Sequence, residues 1–155
     1  MKFKEADFYY GAVLSLLFNN GIDPALVESS NSRQIYDFTT DNVDFRLFIK
    51  YRTRGRLGKK DNYRSWQFTF SKEDLDEIFR YLDEKYNLLL ALVCGEEKLH
   101  ESEYAVLNSE EIKQCFGNNK TSITISRIKG EKAFRISIGG GRSKSIKIPS
   151  NRLTV

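Results

Sequence analysis

Seven consecutive apolar residues, Leu88–Cys94, constrain this chain more than any other stretch. The run has strand length and no polar alternation, which predicts a central strand buried on both faces. It is too short to cross a bilayer as a helix, which needs roughly 20 apolar residues. The opening Met1-Lys2-Phe3-Lys4-Glu5 lacks the apolar region of a secretory signal, so the chain is expected to stay in the cytoplasm, away from membranes.

The flanking periodicities say what packs around that strand. Phe3, Ala6, Tyr10, Val13, Leu14 and Leu17 recur at three- and four-residue steps before Gly21, predicting a helix over residues 3–18 that lays a wide apolar face on a sheet. Asp23-Pro24 predicts the start of a short turn or helix, and Ser29-Ser30-Asn31-Ser32 a loop. From residue 34 the period becomes two. Gln34–Thr40 is a strand, Asp41-Asn42 a turn, and Val43, Phe45, Leu47, Ile49 and Tyr51 then alternate with Asp44, Arg46, Phe48, Lys50 and Arg52, as in a half-buried strand. After a long basic hairpin loop the alternation resumes, with Trp66, Phe68 and Phe70 on one side and Ser65, Gln67 and Thr69 on the other.

Ser71 with Asp74 three residues on caps a helix whose stripe is Leu75, Ile78, Phe79, Leu82 and Tyr86. Its acids, Glu73, Asp74, Asp76, Glu77, Asp83 and Glu84, complement the helix dipole and form a polar exposed face. Glu103–Leu107 reads as a returning strand, and Asn108 with Glu111 caps a short helix ending at Phe116-Gly117. Residues 121–128, 132–138 and 145–148 form a meander. Ile123, Ile125, Phe134, Ile136, Ile138, Ile146 and Ile148 lie on one side of it, and Thr124, Ser126, Arg135, Ser137, Ser145 and Lys147 on the other.

The expected fold is α+β, a mixed/antiparallel sheet packed by two main helices in αβββαββα order and followed by a C-terminal three-stranded antiparallel meander. At 155 residues with 40% hydrophobic content the chain is folded rather than disordered and fits one domain, 1–155. Within it, a helix–sheet core over 1–117 and a meander over 120–155 are the natural subdivisions.

Charge is segregated along the chain. Residues 1–45 carry three bases and seven acids, and 71–113 carry five bases and twelve acids. In contrast, 46–64 carry eight bases against Asp61, and 120–155 carry nine against Glu131. Two cationic blocks thus flank an acidic one, a distribution suited to presenting a positive face to phosphates.

The first cationic block is the hairpin loop, with Arg52, Arg54, Arg56, Lys59, Lys60 and Arg64. Gly55 and Gly58 are available for close backbone approach to a partner, and Tyr51, Tyr63 and Trp66 are nearby for base stacking. The same residues also fit a hairpin kept soluble by charge with Trp66 in the core. Gly139-Gly140-Gly141-Arg142-Ser143-Lys144 offers either a phosphate-binding nest or a flexible hairpin turn, and lacks the spacing of a Walker A loop. Arg142, Lys144 and Lys147 complete the candidate nucleic-acid-binding set.

Catalysis finds little support. The lone imidazole, His100, sits in a charged connection, and Cys94 and Cys115 lie in apolar settings that favour neutral thiols. No cofactor or metal motif is present.

The order helix, three strands, helix, central strand resembles the αβββαβ core of the PD-(D/E)XK nuclease superfamily over roughly residues 3–94. That resemblance implies a metal held between an early acid of the second strand, here Asp44, and an (E/Q)xK motif on the third, here Gln67-Phe68-Thr69. Thr69 stands where the lysine belongs, and Lys50 is on the neighbouring strand, so the pattern fits a relative that binds without cutting. The leading reading is therefore a non-catalytic nucleic-acid-binding protein. The alternatives are a protein-binding regulator or inhibitor of the immunity type or tied to a mobile element, and a degenerate nuclease using Asp44, Gln67 and Lys50.

Overall fold

The computed structural model describes residues 1–58, 62–139 and 145–153. It is an α+β fold with two five-stranded sheets. Helix α1, Glu5–Asn19, starts with the Lys4 amide donating to Asp7 Oδ2 at 2.8 Å. It stops at Gly21, whose φ of 74° turns the chain so that the Ile22 amide reaches back to the Leu17 carbonyl.

Strands β1 (Ala25–Ser29), β2 (Gln34–Thr40) and β3 (Val43–Arg52) then form an antiparallel meander. Asp41 and Asn42, both at positive φ, make the tight β2–β3 turn. The chain next leaves this sheet for β4 (Arg56–Leu57) and β5 (Tyr63–Thr69), passes through α2 (Lys72–Asp83), and returns as β6 (Leu88–Cys94) parallel to β3. A parallel neighbour demands such a crossover. Strand β7 (Glu103–Leu107) closes sheet A in the order β1-β2-β3-β6-β7. After α3 (Ser109–Cys115), strands β8 (Ser122–Ile128), β9 (Ala133–Ser137) and β10 (Ser145–Pro149) add to β5 and β4, giving sheet B the order β10-β9-β8-β5-β4.

Alternation in sheet A divides the core in two. Tyr36, Phe38, Leu47, Ile49, Ala91, Val93 and Val106 face α1. Ile35, Phe48, Leu90, Leu92, Ala105 and Leu107 face Phe68, Ile123, Ile125, Phe134 and Ile136 of sheet B, with Ile78 and Tyr81 of α2 and Ile112 of α3 in the same cluster. The layers thus run α1, sheet A, sheet B, and β6 is buried on both faces as its sequence predicts. Truncating a side chain such as Phe134, with no exposed surface, costs about 3–5 kcal/mol.

Three expectations are corrected. Residues 25–29 form an edge strand rather than a short turn or helix leading into a loop. The strand after the basic loop belongs to the second sheet, where β5 pairs with β8 from Tyr63↔Ile128 to Thr69↔Ser122, so the meander is continuous with the earlier part of the chain. Finally, β3 is not half-buried. Its polar side enters the interior because charges there are matched: Lys50 Nζ donates to Asp74 Oδ2 at 2.8 Å, and Arg46 binds Asp37 through two 2.8 Å hydrogen bonds while lying over Tyr81 and Tyr86. Asp74 is accordingly a buried acid, not part of an exposed helix face.

Candidate nucleic-acid interface

Sheet B owes its surface to simple alternation. In β5, β8, β9 and β10 the inward positions are Trp66, Phe68, Ile123, Ile125, Phe134, Ile136 and Ile148. The intervening residues, Ser65, Gln67, Thr124, Ser126, Arg135, Ser137 and Lys147, point the other way. Helix α1 packs on the far side of sheet A, and α2 and α3 contribute to the cluster between the sheets, so among the described residues no helix covers this outer face.

One row crosses the face from edge to edge. The strand registers pair Arg56 with Ser65, Ser65 with Ser126, Ser126 with Arg135, and Arg135 with Lys147. Four inter-strand steps separate its ends, roughly 19 Å at the usual spacing. The five strands of sheet B contain Arg56, Arg64, Arg127, Arg135 and Lys147 and no Asp or Glu. Three of these cations meet acids outside the strands of sheet B: Arg64 faces Glu96, Arg127 donates to Glu103 at 3.1 and 3.3 Å, and Arg135 donates at 2.8 and 3.2 Å to Glu131 in the β8–β9 turn. The Glu131 carboxyl is held below the usual range by its hydrogen bond from Arg135, and the neighbouring charges of Arg135 and Lys147 act the same way.

The expected binding residues separate into distinct places. Arg56 and Lys147 lie on the row. Arg52 ends β3 at a cavity of about 380 Å³ that it shares with Glu5, Ser32, Lys50 and Thr69. Arg54 is exposed and electrostatically coupled to Tyr9 of α1. Arg64 shares the inward side with Trp66; its Nε faces Glu96 at 3.7 Å, and one of its buried guanidinium nitrogens has no partner. Lys59, Lys60, Arg142 and Lys144 lie outside the described residues. The described residues on either side of those segments, Gly58 with Asn62 and Gly139 with Ser145, adjoin strands at opposite edges of sheet B.

The aromatic part of the expectation is corrected. Trp66 is 3% exposed, and its Nε1 donates to the Gly95 carbonyl at 2.8 Å. Tyr51 stacks on Tyr9 with ring centres 4.7 Å apart, and the Tyr63 hydroxyl is 2.8 Å from Ser126 Oγ. Trp66 is therefore part of the core and Tyr51 is already stacked, while half-buried Tyr63 is held at its hydroxyl on the outer side of β5. Gly55 and Gly58 serve packing instead, since a Cβ at Gly55 would lie 2.7 Å from the Trp66 ring and one at Gly58 would strike the Tyr63 ring.

The nuclease constellation is not assembled. Asp44 accepts from Thr39 at 2.6 Å near the β2–β3 turn, Gln67 is on the outer face of sheet B, and Lys50 is bound to Asp74. His100 lies in the 3-10 turn Leu99–Glu101. Burial raises the thiol of Cys94 well above its ordinary value and pushes that of Cys115 up to about 12. Among the described residues, no helix is long and apolar enough to cross a membrane.

Arg135 was not in the expected set, although its place between inward Phe134 and Ile136 puts it on the outer side of β9. No family model, no curated protein and no solved structure matches the chain.

Proposed function

We propose that this chain binds nucleic acid without cutting it, laying the outer face of sheet B along the phosphate backbone. The observation that supports this most is the outer face of the sheet, which among the described residues is polar, uncovered by any helix and crossed by the Arg56–Arg135–Lys147 row. Arginine forks match phosphate oxygens, and the serine, threonine and glutamine side chains between them supply further donors. Affinity comes from charge neutralisation and falls steeply with salt.

Fluorescence anisotropy with short DNA and RNA duplexes between 50 and 200 mM salt tests the reading. Log affinity should decline linearly with log salt, and Arg56→Gln with Lys147→Gln should lower the slope by roughly two, at about 0.9 per phosphate contact. Absence of binding at the lowest salt, or a slope indifferent to both substitutions, would end it. Copurification with a stoichiometric protein and no nucleic acid would favour the regulator reading instead.

A further inference from the structure

Helix α1 is apolar on two sides. Ala6, Tyr9, Tyr10, Val13 and Leu17 enter the core against sheet A. On the opposite side, exposed Lys4, Phe8, Gly11, Ser15 and Phe18 follow one another at alternating steps of four and three, the spacing of a helix–helix seam. From Phe8 through Asn19 no residue is charged. Phe8 is 52% exposed and Phe18 57%. The apolar surface continues beyond the helix: Phe3 lies 5.9 Å from Phe8, ring centre to ring centre, and Phe8, Ala12 and Leu16 border a groove of about 290 Å³ with Leu99 and Tyr104. A helix face left to water is normally charged or polar, and exposed phenylalanine and leucine side chains on an uncharged face of this kind mark an interface.

We propose that a second copy of this chain covers the face, α1 packing antiparallel on α1 about a two-fold axis near Gly11 and Ala12. Such an isologous contact requires a surface complementary to itself. Antiparallel pairing sets the large Phe8 over the small Ser15 of the second copy and brings the two Gly11–Ala12 segments together, where lack of bulk permits close approach. Charge selects the same arrangement. The last turn of α1 contains no cation, and its carbonyl end carries partial negative charge, followed by exposed Asp23. Antiparallel pairing brings Lys4, the one charged residue of the seam row, to that end of the other copy, with Glu5 and Asp7 of the same turn lying off the row, whereas parallel pairing stacks Lys4 on Lys4. The uncharged stretch from Phe8 to Asn19 offers no counter-charge to a highly charged partner.

Sedimentation velocity of the full chain over a concentration series provides the test. The expected result is a species of twice 18.0 kDa that Phe8→Glu converts to monomer. Gly11→Gln is the decisive variant: no atom lies within 4 Å of a Cβ at Gly11, and glutamine is the better helix former. It should keep or raise the melting temperature yet weaken dimerisation at least tenfold. Under oxidation Ala12→Cys should give a disulfide-linked dimer and Lys4→Cys should not. A monomer at every concentration overturns the proposal, as do equal cross-linking at both positions and a monomer that instead binds phosphatidylcholine–phosphatidylglycerol vesicles through Phe8.

Discussion

Lys50 Nζ and Asp74 Oδ2 meet at 2.8 Å in the interior, joining the C-terminal part of β3 to the first turn of α2. Asp74 also accepts from the Ser71 amide and from Arg33, which is held in turn by Glu28. Burial opposes its charge, but the hydrogen bonds from Lys50 and Ser71 and the charges of Lys50 and Arg33 outweigh it and hold the carboxyl below the usual range. Asp74→Asn leaves the Lys50 ammonium buried without its counter-charge and should cost about 3–5 kcal/mol in urea unfolding. The double variant Lys50→Met/Asp74→Asn should cost less than the sum of the single changes.

The same pair sets an acid sensitivity. A carboxyl with a folded-state pKa below its unfolded value stabilises the fold above the unfolded pKa, and that contribution is lost as pH falls through the folded pKa. Thermal stability of the parent protein should therefore decline below about pH 4. The gap between parent and Asp74→Asn should narrow over that range, and a gap constant with pH would contradict the assignment.

Gly95 directly follows β6 and runs beside the end of β3: its amide donates to the Arg52 carbonyl at 2.7 Å, and a Cβ would strike that carbonyl and lie 2.7 Å from the Thr53 oxygen. Backbone cannot yield as a side chain would. Gly95→Ala should lose about 1–3 kcal/mol. The single tryptophan, Trp66, reports on this directly because its indole donates to the Gly95 carbonyl, so native emission should shift to longer wavelength.

Both thiols should resist a disulfide-exchange reagent at about pH 8 in the folded protein and react at once on denaturation, since only the thiolate attacks and burial suppresses it. Rapid native labelling of Cys115 would show that α3 opens readily.

Removing the acid beside the cationic row should strengthen nucleic-acid binding. Glu131→Gln releases Arg135 from its carboxylate, so affinity should rise several-fold and the salt slope steepen by up to about 0.9. Unchanged affinity would place the binding surface elsewhere.

Much of the fold was legible because the periodicities are local. The bounds of β2, β3, β6 and β7 and the capping boxes at Ser71 and Asn108 follow from residues within one element. Strand β1 was hidden because it is an exposed edge with a register shift between Leu26 and Glu28, leaving no alternation to read. Burial of Lys50 was hidden because its partner lies 24 residues away, and alternation in β5 looks the same whichever sheet receives it. For the site, a polar outer face was visible in the spacing of β8 and β9. Arg64 was misplaced by counting charge alone, although standing two residues before Trp66 assigns it to the inward side.

Sheet A acts as a partition. With α1 on one face and sheet B on the other, the hydrophobic and cationic exteriors are held apart by the thickness of the core, so occupation of one leaves the other sterically accessible. Two molecules joined along their helices would expose their positive faces at opposite poles, giving the pair the geometry of a bridge between separate polyanions.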